Sequence, residues 1–63
     1  MKMQPVTSSH ILAVGFEDGT MHVQFKNGTY RYDNVPEQFH KDLMASESKG
    51  SFLSRSGLKG VKL

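Results

Sequence analysis

The stretch Leu12–Tyr32, LAVGFEDGTMHVQFKNGTYRY, decides the fold. It holds two turn dipeptides, Asp18-Gly19 and Asn27-Gly28. Both suit a two-residue type I′ turn, in which both central residues take φ > 0, a conformation that Asn, Asp and Gly tolerate best. Turns at these positions set the pairing. Around the first, Glu17 is expected opposite Thr20, Phe16 opposite Met21, Val14 opposite Val23 and Leu12 opposite Phe25. Around the second, Lys26 is expected opposite Thr29, Phe25 opposite Tyr30, Val23 opposite Tyr32 and His22 opposite Asp33. One face then carries Leu12, Val14, Phe16, Met21, Val23, Phe25, Tyr30 and Tyr32. The other carries Ala13, Gly15, Glu17, Thr20, His22, Gln24, Arg31 and Asp33. A one-residue slip would put Phe25 and both tyrosines in water, so the register is strongly specified.

Working outward, residues 1–9 read as an extended segment. Pro5 discourages a helix, and the hydroxyl run Thr7-Ser8-Ser9 can seat backbone turns. Residues 10–34 form the meander, with strands over Ile11–Glu17, Thr20–Lys26 and Thr29–Asp33. Residues 35–60 read as two helices. Val35-Pro36-Glu37 opens the first, because proline fits the start of a helix and acids suit its positive end. Val35, Phe39 and Leu43 recur every four residues as an apolar stripe, and this helix is expected to end near Ser46. Ser48 is placed to cap a second helix from Lys49, with Phe52 and Leu53 inward and Gly57, or Gly60, as its left-handed stop. Residues 61–63 are left as a tail. The expected fold is α+β: a three-stranded antiparallel β-meander, order 1-2-3, with two C-terminal helices packed on its apolar face.

At 63 residues this is a single domain. A chain this short buries roughly 60% of its unfolded surface and is only marginally stable. It has no cysteine, which excludes a disulfide framework and thiolate metal sites and favours a reducing, cytoplasmic setting. No apolar run approaches the ~20 residues of a membrane span, so no membrane partner is expected. Met1-Lys2-Met3-Gln4-Pro5 has no apolar core and is not expected to be a signal peptide. The net charge is +2, but its distribution says more. From Lys49 onward there are four basic residues (Lys49, Arg55, Lys59, Lys62) and no acid, whereas residues 1–48 carry four basic and six acidic ones. A basic segment on a mildly acidic body points to phosphate contacts.

Three groups of residues are candidates for function. Lys49, Arg55, Lys59 and Lys62, joined by Arg31 and Lys26 from the sheet, are candidate nucleic-acid contacts. Ser48-Lys49-Gly50-Ser51 brings hydroxyls, free amides and a lysine to a helix start, a pattern that suits a phosphate. On the polar sheet face, Gly15, His22 and Gln24 form a candidate shallow site. No phosphate loop, dinucleotide fingerprint or His/Cys metal spacing is present, and the three histidines (His10, His22, His40) lie on different elements. The sequence therefore reads as non-enzymatic, with no catalytic residues, no cofactor and no metal.

Five short motifs occur in order over nearly the whole chain: Val6-Thr7-Ser8-Ser9, Val14-Gly15-Phe16, Met21–Gly28, Tyr30-Arg31-Tyr32 followed by Val35-Pro36, and Ser48-Lys49-Gly50-Ser51-Phe52. In this the chain resembles the KTSC domain family, short bacterial and phage proteins named after the C-terminal module of some lysyl-tRNA synthetases. The resemblance implies a small α+β domain with a suggested RNA-binding role, and it brings no catalytic residues. Relatives often close with an aromatic, where this chain reads Leu58-Lys59-Gly60-Val61-Lys62-Leu63. Two functions follow. The first is an RNA-binding module that uses the basic C-terminal helix and tail. The alternative is a protein-protein interaction module, such as a phage or prophage accessory protein that docks on a host factor by adding a strand to an exposed sheet edge. Either would act as a monomer or weak homodimer.

Overall fold

The computed structural model describes residues 2–63, so Met1 of the expected N-terminal segment lies outside the described residues. Five strands, β1 (Met3–Pro5), β2 (Ile11–Glu17), β3 (Thr20–Phe25), β4 (Gly28–Tyr32) and β5 (Val61–Lys62), form one sheet in the order β1-β2-β3-β4-β5. All its pairings are antiparallel. Two helices, α1 (Glu37–Ala45) and α2 (Lys49–Ser56), lie between β4 and β5.

The meander and both helices are present, but the sheet has five strands where the sequence reading has three. The two additions come from the segments read as extended N-terminus and tail. They are three and two residues long, too short to show an alternation of their own. Each forms because the meander has open edges whose amides and carbonyls accept a partner. Pro5 ends an edge strand, where a missing donor is tolerated. On the other edge, Leu63 N–H donates to Thr29 C=O (2.9 Å) and extends the β4–β5 ladder.

The first hairpin pairs as expected from Glu17↔Thr20 to Val14↔Val23, and Asp18 (φ 51°) and Gly19 (φ 79°) both take the left-handed conformation of the turn. Beyond Ala13 the register shifts. A bulge at Leu12 puts Ile11, not Leu12, opposite Phe25. Ile11 is wholly buried and Leu12 is 43% exposed, the reverse of the expected assignment. A bulge adds one residue to one strand, so the inward sequence on β2 changes parity there.

The second hairpin also differs. The pairs are Phe25↔Gly28, Gln24↔Thr29, Val23↔Tyr30, His22↔Arg31 and Met21↔Tyr32. The chain turns at Lys26-Asn27, and Gly28 alone takes the positive φ (146°). The expected turn at Asn27-Gly28 would have paired Phe25 with Tyr30. The observed register differs by two residues, Phe25 facing Gly28 and not Tyr30, so every side chain keeps its face while its neighbour changes.

The core is Ile11, Val14, Met21 and Val23 from the sheet, Tyr32 and Val35 at its exit, and Leu43 and Leu53 from the helices. Val35 N–H donates to Gly19 C=O (2.7 Å), which ties the entry of α1 to the first hairpin turn. Helix α2 ends at Gly57 (φ 77°), as read from the sequence. Its last turn is closed by the Ser56 hydroxyl, which donates to Leu53 C=O (2.6 Å) and accepts from Leu58 N–H (3.2 Å). Gly60 is not a helix stop. It crosses the ring of Tyr32, and a β-carbon there would lie 2.8 Å from Tyr32 Cζ.

Candidate nucleic-acid interface

The two ends of the meander differ in charge. Glu17 and Asp18 sit at the β2–β3 turn, and Asp33 and Glu37 follow β4 at that same end. The opposite end holds the start of β2, the β3–β4 turn and the first turns of α2. Between them opens a cleft of about 770 Å³, lined by His10, Phe25, Lys26, Asn27, Gly50, Ser51, Ser54 and Arg55. No carboxylate is among these residues.

Each wall has a local reason for its place. Ser8 Oγ accepts from His10 N–H and Ile11 N–H (both 3.3 Å), a hydroxyl turn that sets the backbone of His10 at the start of β2. Lys26 N–H donates to His10 C=O (3.3 Å), so β2 holds the β3–β4 turn at the cleft floor. The His10 ring lies across Gly50, where an added β-carbon would be 3.7 Å from His10 Cδ2. Ser51, Ser54 and Arg55 are three and four residues apart in sequence and share one face of α2. Amides in the first turn of a helix have no carbonyl to bond within it, so the N–H groups at Gly50 and Ser51 point out of the helix start.

A second, shallower groove of about 270 Å³ adjoins the first and is lined by Phe25, Asn27, Tyr30 and Tyr32. It exists because the helices leave the Phe25–Tyr30 corner partly uncovered. These two rings meet edge to face, with centroids 5.5 Å apart at 89°. Tyr32 is 8% exposed and gives the groove only an edge. Burial, and to a lesser degree Tyr30, pushes the Tyr32 phenol above its ordinary pKa of 10.0. Lys62 pairs with Tyr30 across the β4–β5 ladder and lays its chain over Gly28, with Cε 3.2 Å from where a β-carbon would be.

The nucleic-acid residues named from the sequence separate into those that meet and those that do not. Lys26 and Arg55 both line the cleft, and Lys62 lies over Gly28 at the start of β4. Lys49 is turned back, its Nζ donating to Ser46 C=O (2.9 Å), and Ser48 makes no side-chain cap. Of the four residues read as a phosphate seat, Gly50 and Ser51 line the cleft. Lys59 is exposed in the connection to β5. Arg31 lies on the other face of the sheet, its Nε 3.3 Å from Asp33 Oδ1, so its charge is partly spent within the chain. Gly15, His22 and Gln24 lie on that face too, with Gly15↔His22 and His22↔Arg31 paired across strands, and none of them lines the cleft. His10, Asn27 and Ser54 were not legible as site residues. Only their hydroxyl, amide and imidazole types hinted at a role, and their meeting depends on where α2 packs. Among the described residues, no three His, Cys, Asp or Glu side chains gather as a metal-ligand set, and no helix is long and apolar enough to cross a membrane. The arrangement can hold an anion beside two cations and two serine hydroxyls, and the groove can set a flat ring against Tyr30.

The family model described as the KTSC domain matches residues 7–56. A protein of Tsukamurella paurometabola is 42% identical over 55 residues, an alignment that covers 82% of each chain. The crystal structure of a KTSC domain protein from Yersinia pestis is 37% identical, with a TM-score of 0.88, and the match covers 98% of this chain and 96% of that one.

Proposed function

The chain belongs to the KTSC domain family, and for this member we propose a non-enzymatic role in binding RNA through the cleft between the β3–β4 turn and α2. One observation carries the reading: Lys26, Arg55 and His10, from three separate elements, meet in a cleft without a carboxylate at the end of the sheet away from Glu17, Asp18, Asp33 and Glu37. A solvated basic tail would not converge in this way. The absence of cysteine suits a bacterial cytoplasm. Strand addition by a protein partner has less support. The sheet edges are a three-residue strand ending in Pro5 and a two-residue strand, both poor templates.

The test is fluorescence anisotropy with a labelled RNA across a salt series. Affinity should fall log-linearly with salt, and Lys26→Ala and Arg55→Ala should each lower the slope by about 1. Arg31→Ala should leave it nearly unchanged. No binding at low salt, or equal slopes for all three variants, would overturn the reading.

A further inference from the structure

We infer, on top of the RNA reading, that the ligand is an unpaired stretch of RNA held one nucleotide at a time, with a base stacked on Tyr30, whose ring is braced by Phe25, and the adjoining phosphate beside Lys26 and Arg55. Phe25 and Asn27 line both grooves, so the aromatic and basic sites are two parts of one surface. Their spatial order, an aromatic groove beside a cationic cleft, is that of a nucleotide with its phosphate. Tyr30 and Phe25 are only partly buried, although Tyr30 sits between Val23 and Lys62 in the sheet and both rings border the core. The T-shaped contact with Phe25 fixes the Tyr30 ring, so little side-chain freedom is lost when a base lies on it. Asn27 stands where the two grooves join and offers an amide donor and acceptor to a base edge. Lys62, paired with Tyr30 and laid over Gly28, adds a cation beside the strand that carries Tyr30.

A duplex keeps its base faces inside the stack, so this surface discriminates against it. A single strand presents a π-face at every base, so sequence preference is weak.

The experiment compares a labelled single-stranded oligoribonucleotide with a blunt RNA duplex of the same length and heparin as a plain polyanion, all at one salt concentration. The wild type, Tyr30→Phe and Tyr30→Leu are titrated, with folding of each checked by circular dichroism. The single strand should bind at least about 10-fold tighter than the duplex. Tyr30→Phe should keep that affinity and Tyr30→Leu should lose about 5- to 150-fold, the range for one stacked base. The chain has no tryptophan and only two tyrosines, so in a Tyr32→Phe background its emission comes from Tyr30 and should be quenched by the single strand. Equal binding of duplex, or an unchanged affinity for folded Tyr30→Leu, would overturn the stacking while leaving salt-dependent RNA binding intact. Heparin matching the single strand would do the same. Failure of every RNA to bind would overturn both readings.

Discussion

Gly60→Ala tests how the C-terminal strand is attached. A β-carbon at this position would lie 2.8 Å from Tyr32 Cζ, 3.0 Å from Cε2 and 3.1 Å from the phenolic oxygen. The first distance is below any real contact, so either the ring or the strand must move. The ring belongs to the core at 8% exposure, whereas Val61 (51%) and Leu63 (61%) are largely exposed. The strand therefore yields. Its release costs the Tyr30↔Lys62 and Arg31↔Val61 pairings and the bond from Leu63 N–H to Thr29 C=O. A few backbone hydrogen bonds at ~0.5–1.5 kcal/mol each give about 1–3 kcal/mol in all. A chain of this size has about 3–9 kcal/mol of stability, so the variant folds but melts about 4–20 °C lower. Gly57→Ala is the informative control. Gly57 has open space around it and a left-handed φ of 77°, so its substitution costs backbone strain of ~1 kcal/mol and leaves β5 in place. Melting by circular dichroism and amide exchange read the two apart. Gly60→Ala should deprotect the Leu63 amide, and Gly57→Ala should not. A Gly60→Ala protein with an unchanged melting temperature and a protected Leu63 amide would refute the steric account.

Two further substitutions test the core. Ile11→Ala removes a wholly buried side chain and should cost ~2–5 kcal/mol, enough to unfold much of the population at room temperature. Leu12→Ala next to it, at 43% exposure, should cost well under about 1 kcal/mol in urea titration, and the opposite ranking would mean the bulge is absent. The raised Tyr32 pKa gives a pH dependence of stated sign. The folded chain holds the phenol proton more tightly than the unfolded one, so this stabilisation is whole below pH 10.0 and is lost as pH rises through the folded value. Melting temperature should fall above that pH, Tyr32→Phe should make the fall shallower, and identical profiles for the two proteins would contradict it.

The first hairpin was legible because Asp18-Gly19 combines two residues tolerant of positive φ with apolar runs on both sides. The second was legible in its faces but not in its register. Registers two residues apart bury the same side chains, so the pattern of Val23, Phe25, Tyr30 and Tyr32 fits either, and only the turn at Lys26-Asn27 separates them. The bulge at Leu12 was hidden because Ile11 and Leu12 are both apolar. Strands β1 and β5 were hidden because two or three residues carry no period. Of the site, Lys26 and Arg55 were named on charge, and Gly50 and Ser51 on helix-start chemistry. Their convergence was out of reach, because it depends on α2 crossing beside the β3–β4 turn, 23 residues away in sequence from Lys26 to Lys49.

Glu17, Asp18, Asp33 and Glu37 lie toward one end of the strands and Lys26 and Arg55 toward the other, a separation of charge between the cleft and the far end of the sheet. Near a polyanion such a molecule feels a torque before it makes contact. It swings Glu17, Asp18, Asp33 and Glu37 away and brings Lys26 and Arg55 forward. The rotational search that slows most encounters is thereby shortened, more so as the ionic strength falls. If the cleft takes RNA as proposed, the acids at the far end of the sheet would help decide which way round the protein arrives.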